Sequence, residues 1–290
     1  MNRYLIALLT ASMLLVTSSC IKEVEFSGEE TAPLPVLNAL VTDGDTALYV
    51  DLTKSLFFLR KGGFAPITDA TVTLTLNGID YHMDIFNDSV YTLQHGFSAG
   101  DVLSVTADVS EFGLLTTETV AVPSQPILVD AVSEIDSERD NRTFTLRFVD
   151  NPAQQNYYRI RFYHEDTASA EIKYEYIGCY DTRTLLDNSD YPSVNFGQNL
   201  FFGDSHFNGD TCKLDIETLN TLETQKVYYV VVENISESMY KYGSTLHRYD
   251  NSRGNPFTEP VQVYTNISGW MGVLAAKSVS MMKINFFERK

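Results

Sequence analysis

The amino-acid sequence predicts a mainly β fold with two sandwich-like domains, and three features of the sequence support that prediction. Apolar and polar residues alternate with a period of two over most of residues 35–122, as they do in half-buried strands. The dipeptide Asn77-Gly78 separates two alternating segments, which is the strongest short signal for a β-hairpin. Pro123 and Pro126 then interrupt the pattern, and because proline fits poorly in a central strand we predict a domain boundary there.

The first predicted domain covers residues 34–123 and is a small sandwich of the immunoglobulin or transthyretin type. Val72, Leu74 and Leu76 alternate with threonines in one strand, and residues 79–85 form the strand that returns after the hairpin. The other strands of this domain are predicted at residues 36–41, 47–52, 90–94, 102–109 and 114–122. About seven short strands with regular turns are typical of a small sandwich.

The second predicted domain covers residues 124–290 and is a β-sandwich with one helix. Asn234 with Glu237 predicts a capping box at the start of the helix, whereas Gly243 lowers its intrinsic helix propensity. The helix itself is predicted from apolar residues that recur at spacings of three and four, namely Ile235, Met239, Tyr242, Leu246 and Tyr249. The strands are predicted at residues 143–149, 157–163, 171–178, 227–232, 260–265 and 273–287.

Residues 1–19 predict a secretory signal peptide. Arg3 gives a positively charged start, residues 5–16 are almost wholly apolar, and three small polar residues precede Cys20. The run VTSSC at residues 16–20 is similar to a lipobox, so we predict that Cys20 is lipidated and becomes the mature N-terminus. An ordinary signal peptide that is cleaved near a cysteine is the alternative. Residues 20–33 are acidic, small and polar, and they form the predicted tether.

The charge of the chain excludes nucleic acid as a partner. Removal of residues 1–19 takes away one arginine and no acid, which leaves 20 basic and 38 acidic residues and a net charge of −18. Such a polyanion is repelled by nucleic acid and by anionic lipid headgroups. The hydrophobic content of 44%, with 17 Tyr and 17 Phe, is nevertheless sufficient for real hydrophobic cores.

Two cysteines remain after Cys20, and their pairing has two interpretations. An exported chain reaches an oxidising compartment, so an even pair of cysteines favours a disulfide between Cys179 and Cys212. Two buried free thiols are the alternative interpretation.

A long segment at residues 181–211 combines turn-forming residues with large aromatic rings, which is typical of a functional insert. We predict that Tyr191, Phe196 and Phe202 contact a partner, because exposed aromatic clusters are favoured at interfaces. The alternative is that Phe201 and Phe207 pack inward on short strands and the other rings cover the edge of a core.

The sequence predicts no catalytic residues, no metal ligands and no cofactor. Residues 96–100 spell G-x-S-x-G, but the alternating residues that follow Ser98 predict a strand, whereas a hydrolase nucleophile elbow needs a helix there. The five histidines are scattered without the spacing of a zinc site. Asp204, Asn208 and Asp210 carry oxygen ligands suited to calcium, but solvated turn residues are the preferred interpretation. Phosphate-binding and dinucleotide-binding glycine motifs do not occur.

Taken together, these features resemble one family, the Bacteroidetes lipoproteins catalogued as domain of unknown function 4249 (DUF4249). Three stretches carry the resemblance. The first is Cys20 with its acidic tether and LNALVT at 37–42, and the second is PITDATVTL at 66–74. The third and most specific begins with GNPFTEPV at 254–261 and continues through TNISG at 265–269 to GVLAA at 272–276. Such families commonly show Gly-Gly or Gly-Asn-Gly before the final Gly-Val, where this chain has Gly269-Trp270-Met271.

The resemblance implies an outer-membrane lipoprotein whose genes tend to neighbour those of TonB-dependent transporters, and it implies no catalytic residues. Lys22-Glu23 is similar to the short tags that send some of these lipoproteins to the cell surface, with the second acid displaced to Glu25. The periplasmic face stays open as an alternative location.

The leading interpretation is a non-catalytic binding or accessory subunit of an outer-membrane complex, whose partner is a β-barrel protein such as a TonB-dependent transporter. The membrane is then reached through the lipid on Cys20. A structural or adhesin-type surface lipoprotein is the alternative function.

Overall fold

A computed structural model describes residues 31–57, 62–135, 141–165, 171–181, 184, 193–253 and 257–288. The predicted signal peptide, Cys20, most of the tether and Tyr191 lie outside these residues. Within them the chain is mainly β, which confirms the predicted fold class.

Nine strands form the first half of the described chain. They are β1 (Pro35–Thr42), β2 (Ala47–Lys54), β3 (Ala65–Pro66), β4 (Ala70–Leu76), β5 (Ile79–Ile85), β6 (Val90–Gln94), β7 (Val102–Val109), β8 (Gly113–Thr116) and β9 (Val120–Ala121). The Asn77-Gly78 hairpin is confirmed, because β4 and β5 pair in antiparallel register on either side of it. Both turn residues have positive φ, as this type of hairpin turn requires.

Eleven further strands and one helix form the second half of the described chain. They are β10 (Ile127–Ile135), β11 (Thr143–Val149), β12 (Tyr157–Glu165), β13 (Ile172–Tyr174), β14 (Ile177–Cys179), β15 (Phe196–Gly197), β16 (Leu200–Gly203), β17 (Thr211–Thr218), β18 (Tyr228–Ile235), α1 (Glu237–Ser252), β19 (Met271–Lys283) and β20 (Asn285–Glu288). The strand predicted at residues 260–265 is wrong, since these residues form no strand.

The strands form two sheets. The first has the order β13-β12-β18-β19-β1-β2-β6-β5-β4-β7-β8, with β16 beside β12, β3 beside β2 and β9 beside β7. The second has the order β15-β14-β17-β11-β10-β20. Strand β19 joins the two halves of the chain, because it pairs with β18 on one edge and in parallel with β1 on the other.

The fold has two large hydrophobic cores, and the chain passes from the first to the second close to the predicted boundary at residue 123. The first draws on β1, β2, β4 and β7, and it also takes in Ile267, Leu274 and Ala276 from the C-terminal part of the chain. The second lies between the β12–β18 part of the first sheet and the β11–β17 part of the second. The residues from Pro33 onward nevertheless form one compact unit. A boundary between two independent domains at residues 123 and 124 therefore stays a prediction.

The predicted disulfide is wrong for this fold. Cys179 and Cys212 are both buried, and they do not form a disulfide with each other. The strand register explains why: Cys179 lies opposite Ile216, which is four residues along β17 from Cys212. The two Cα atoms are therefore roughly 13 Å apart, whereas a disulfide needs a separation below about 7 Å. Burial raises the pKa of the Cys179 thiol, which disfavours the nucleophilic thiolate.

Candidate functional site

Helix α1 packs on β19, β12 and β16 of the first sheet, and most of its apolar stripe is not fully buried. Its fully buried residues are Ser238, Tyr240, Ser244 and Thr245. Of the residues whose periodicity predicted the helix, Ile235 instead ends β18 and is buried. Met239, Tyr242 and Leu246 are half-buried, and Tyr249 is exposed. An amphipathic helix ordinarily turns such a stripe toward the core. Here Met239 and Tyr242 line two surface depressions, and Met239 also packs against the small buried cluster that contains Tyr240.

The start of α1 is set by Ser236 and not by the predicted capping box. Ser236 is the N-cap, and its Oγ accepts a hydrogen bond of 3.3 Å from the Met239 N–H. Asn234 lies upstream in β18, where its side chain donates to the Ser124 carbonyl and to Asn156 Oδ1. The cap was therefore predicted two residues too early.

Close backbone packing explains why the buried side of α1 carries small residues. A Cβ atom on Gly243 would lie 2.6 Å from the Phe201 ring, so only glycine lets the helix rest directly on that ring. Tyr240 stacks on Tyr157 with ring centroids 4.8 Å apart. The Ser238 hydroxyl donates to the Leu274 carbonyl of β19. The glycine that weakened the helix prediction is thus a packing requirement.

On one side of α1 lies a depression of about 440 Å³ that we call the apolar groove. Its floor comes from the open face of β1, β2 and β19, where Leu40 and Tyr49 keep 42% and 48% of their surface exposed. The Oδ1 atom of Asp51 is buried in this groove, and no described residue donates a hydrogen bond to it. The groove is lined by Asn38, Ala39, Leu40, Tyr49, Asp51, Val90, Met239, Tyr242, Val273 and Ala275.

On the other side of α1 lies a larger depression of about 730 Å³ that we call the aromatic cleft. Tyr176 and Phe196 carry exposed rings there, with centroids 6.0 Å apart. Most of the remaining polar residues are amides. The cleft is lined by Arg159, Tyr176, Asn195, Phe196, Gly197, Gln198, Asn199, Phe201, Met239, Tyr242, Gly243, Leu246, His247, Asp250 and Asn251.

A buried glutamate fixes the arginine in the aromatic cleft. Glu233 is fully buried, and its carboxylate accepts from Arg159 Nε, from Arg161 at 2.9 Å and from Lys277 at 3.0 Å. Burial alone would raise the pKa of Glu233, but the three cations hold it below the ordinary value. In the same cleft, burial lowers the pKa of His247 against the opposing effect of Asp250. His247 is therefore neutral at neutral pH.

The three predicted partner-contact residues have different outcomes. Phe196 is 43% exposed and lines the aromatic cleft. Phe202 is 1% exposed, so its prediction as a surface contact is wrong. Its ring packs into the second core beside Tyr158 and Phe207. Tyr191 lies outside the described residues. Phe201 and Phe207 are buried, as the alternative interpretation of this segment expected.

A network of buried polar residues lies close to Asn234. Tyr158 donates to Asp150, and the Asn156 side chain donates to both Asp150 and Asp204. The Asn156 backbone N–H donates to Asp204 at 2.7 Å. Asp204 is 1% exposed, so it is a structural acceptor and not a solvated turn residue. Its burial raises the pKa of its carboxyl, and the nearby Asp150 adds to that effect.

We expect Asp204 to make the protein less stable as the pH rises. Because its pKa is raised in the folded state, the stability it contributes is complete below about pH 4 and is lost as the pH rises through the folded pKa. Asp204→Asn keeps an acceptor for Asn156 and removes this titration. Relative to wild type, the variant should gain on the order of 1 kcal/mol between pH 4 and pH 7.

Urea unfolding of Asp204→Asn and wild type at several pH values measures the difference between their free energies of unfolding. Groups that titrate equally in both proteins do not contribute to that difference. Glu118→Gln is a control, because its side chain is exposed and lies outside the network. A difference between Asp204→Asn and wild type that stays constant with pH would contradict the prediction.

The G-x-S-x-G motif lies in a turn between two strands. Residues 96–100 follow β6 and lead into β7, and Gly100 has a φ of 92°. The Ser98 N–H is held by Asp101 at 2.8 Å. The strand after Ser98 is thus confirmed, and the residues needed for a nucleophile elbow are not arranged as one.

The fold and these surfaces define a class, namely a β-sandwich protein with a single described helix that separates two surface depressions. The chain belongs to a domain of unknown function family, DUF4249, whose model matches residues 21–283. A comparison with curated proteins gives no match. No helix among the described residues is long and apolar enough to span a bilayer.

Solved structures give only distant similarity. The adhesin InvE of Yersinia pseudotuberculosis is 16% identical with a TM-score of 0.21, over 69% of this chain and 55% of that protein. This chain therefore spans about half of the adhesin. A putative carbohydrate binding protein of Bacteroides uniformis is 12% identical with a TM-score of 0.21, over 86% of this chain and 98% of that protein. The CBD12 structure from CALX1.2 is also 12% identical, with a TM-score of 0.20, and covers 84% of this chain and 98% of that protein. These values carry no argument about function.

Proposed function

We propose that this chain is a non-catalytic outer-membrane lipoprotein that acts as an accessory subunit of a β-barrel protein, of the TonB-dependent transporter class, at the cell surface. The apolar groove is the docking site in this proposal. The single observation that supports it most is that Met239 and Tyr242 of α1 stay only half-buried beside the open sheet face.

The signal peptide and lipobox-like run support a membrane location, because a lipid on Cys20 would hold the folded domains beside outer-membrane proteins. The tether of residues 20–33 would let the groove reach a partner in the same membrane. Soluble ligands do not need such anchorage, whereas a membrane-embedded partner does benefit from it.

Asp51 defines the chemistry that a partner needs. A buried acceptor without a donor costs roughly 1–3 kcal/mol. A partner segment that brings apolar side chains and one N–H donor, from lysine, arginine or backbone, would fill the groove and pair with the Asp51 carboxylate that lines it. The groove therefore suits a specific protein contact better than a lipid surface.

The test is co-purification of the tagged lipoprotein after mild detergent extraction. Wild type should retain one β-barrel protein in a 1:1 ratio, and Leu40→Ala with Tyr49→Ala should reduce its retention about tenfold, because exposed anchors carry most of the energy of an interface. Asp51→Ala should also reduce retention, while its melting temperature stays the same or rises. Lost binding without lost stability distinguishes a docking residue from a core residue.

Two controls complete this experiment. Leu114→Ala removes a leucine on β8 that is more exposed than Leu40 and lies away from the groove, so this variant should retain the β-barrel protein. Cys20→Ala should give a folded chain that leaves the membrane fraction. A wild-type lipoprotein without a stoichiometric β-barrel partner would contradict the proposal and favour the structural or adhesin-type role.

A further inference from the structure

The aromatic cleft has the size of a small-molecule site. Its volume of about 730 Å³ lies within the range of about 300–1,000 Å³ that ligand pockets occupy. Tyr176 and Phe196 are 47% and 43% exposed, and their ring planes are inclined by only 35°. Two such exposed rings close together give the cleft an apolar platform that faces solvent. Ligands with an apolar ring face can stack on a platform of this kind.

Amides supply most of the hydrogen-bonding capacity around this platform. Asn195, Gln198, Asn199 and Asn251 all line the cleft. Each side-chain amide has two donors and one carbonyl acceptor. One donor of Gln198 is already bonded to the Tyr174 carbonyl and one of Asn251 to His247, and the remaining groups can serve a ligand. A ligand hydroxyl both donates and accepts, so a set of amides matches an array of hydroxyls better than it matches a carboxylate, a phosphate or an ammonium group.

The charges in the cleft nearly cancel. Arg159 is the cation of the cleft, and its Nε is bound to Glu233. Asp250 is the anion, and His247 in the same cleft is neutral at neutral pH because burial lowers its pKa. An anionic or cationic ligand would therefore meet little opposite charge.

We propose that the aromatic cleft binds an uncharged oligosaccharide. The apolar face of a sugar ring would stack on Tyr176 and Phe196, and its hydroxyls would bond to the amides of the cleft. This site is distinct from the apolar groove, since α1 lies between them and only Met239 and Tyr242 line both. The chain would thus hold a saccharide on one side of the helix and a protein on the other.

The experiment uses the full lipoprotein in a detergent without a sugar headgroup. The lipoprotein is applied to an array of neutral gluco-, manno- and xylo-oligosaccharides and of acidic ones that contain uronate or sialic acid. The affinity of each oligosaccharide that binds is then measured by calorimetry. We expect at least one neutral oligosaccharide to bind, with weaker binding of the acidic ones. Phe196→Ala and Asn199→Ala should each lower the association constant about tenfold.

Phe64→Ala is the matched control, because it removes an exposed phenylalanine outside the cleft and should leave binding within about twofold. Failure of every neutral oligosaccharide to bind, a preference for the acidic ones, or unchanged binding in both cleft variants would overturn the proposal. Phe196→Ala should still retain the β-barrel partner. Loss of saccharide binding in this variant is therefore distinguishable from failure of the docking proposal.

Discussion

Gly272→Ala should destabilise the protein more than any other glycine-to-alanine change among the described residues. A Cβ atom at this position would lie 1.9 Å from the carbonyl oxygen of Leu37, and Gly272 has a φ of 106°. The clash is with the backbone of β1, so no side-chain movement relieves it. Because β1 and β19 must then separate where they pair, we expect a loss of about 4 kcal/mol or more in the free energy of unfolding.

Alanine substitutions at two other glycines distinguish the steric clash from the backbone strain in that loss. Gly269 has a φ of 74° but open space around its Cβ position, so Gly269→Ala should cost only about 1 kcal/mol for backbone strain. Gly96 has neither feature, and Gly96→Ala should be close to neutral. Thermal unfolding of the three variants measures this order. A melting temperature of Gly272→Ala within a few degrees of wild type would show that the β1–β19 contact is looser than described.

Glu233→Gln should cause the second large loss, about 3 kcal/mol at neutral pH. The change leaves three neighbouring cations, whose side chains are only 14–22% exposed, without their shared carboxylate. Because the pKa of Glu233 is lowered in the fold, its contribution is present above the unfolded value of about 4.3 and is lost as the pH falls through the folded value. The difference between variant and wild type should therefore shrink in acid.

Glu237→Gln is the matched control for this measurement. Glu237 pairs with Lys241 across one turn of α1, but its side chain is 57% exposed, so the variant should lose less than about 0.5 kcal/mol. Denaturant unfolding at pH 7 and pH 3 compares the two variants. Equal effects for Glu233→Gln and Glu237→Gln would mean that the buried cluster contributes no more than a surface pair.

Local patterns predicted much of the fold, because period-two alternation and turn chemistry depend on neighbouring residues. The hairpin at Asn77-Gly78 follows from two residues and their flanks. No strand was predicted at residues 211–218, although Cys212, Leu214 and Ile216 of β17 alternate with exposed residues. That alternation was a usable signal.

The candidate site was harder to predict because it depends on contacts between distant parts of the chain. Phe201 and Phe202 look equivalent in the sequence, yet successive residues of a strand point to opposite faces. Phe202 enters the core between the sheets, whereas Phe201 lies under α1. The apolar stripe of α1 predicted a helix correctly. Which side of the helix packs on the sheet, however, depends on the contact between Gly243 and the Phe201 ring.

The two-sided pairing of β19 also sets the order in which this chain can become folded. Val36, near the start of β1, pairs with Met271, near the other end of the sequence, and Leu274 and Ala276 complete the first core. A chain that emerges N-terminus first therefore cannot finish its N-terminal half until the last strands have been delivered. Contacts of such high sequence separation slow folding and leave the open edge of β1 exposed in the meantime. The N-terminal half would therefore need protection from self-association until the C-terminal strands have been synthesised and exported.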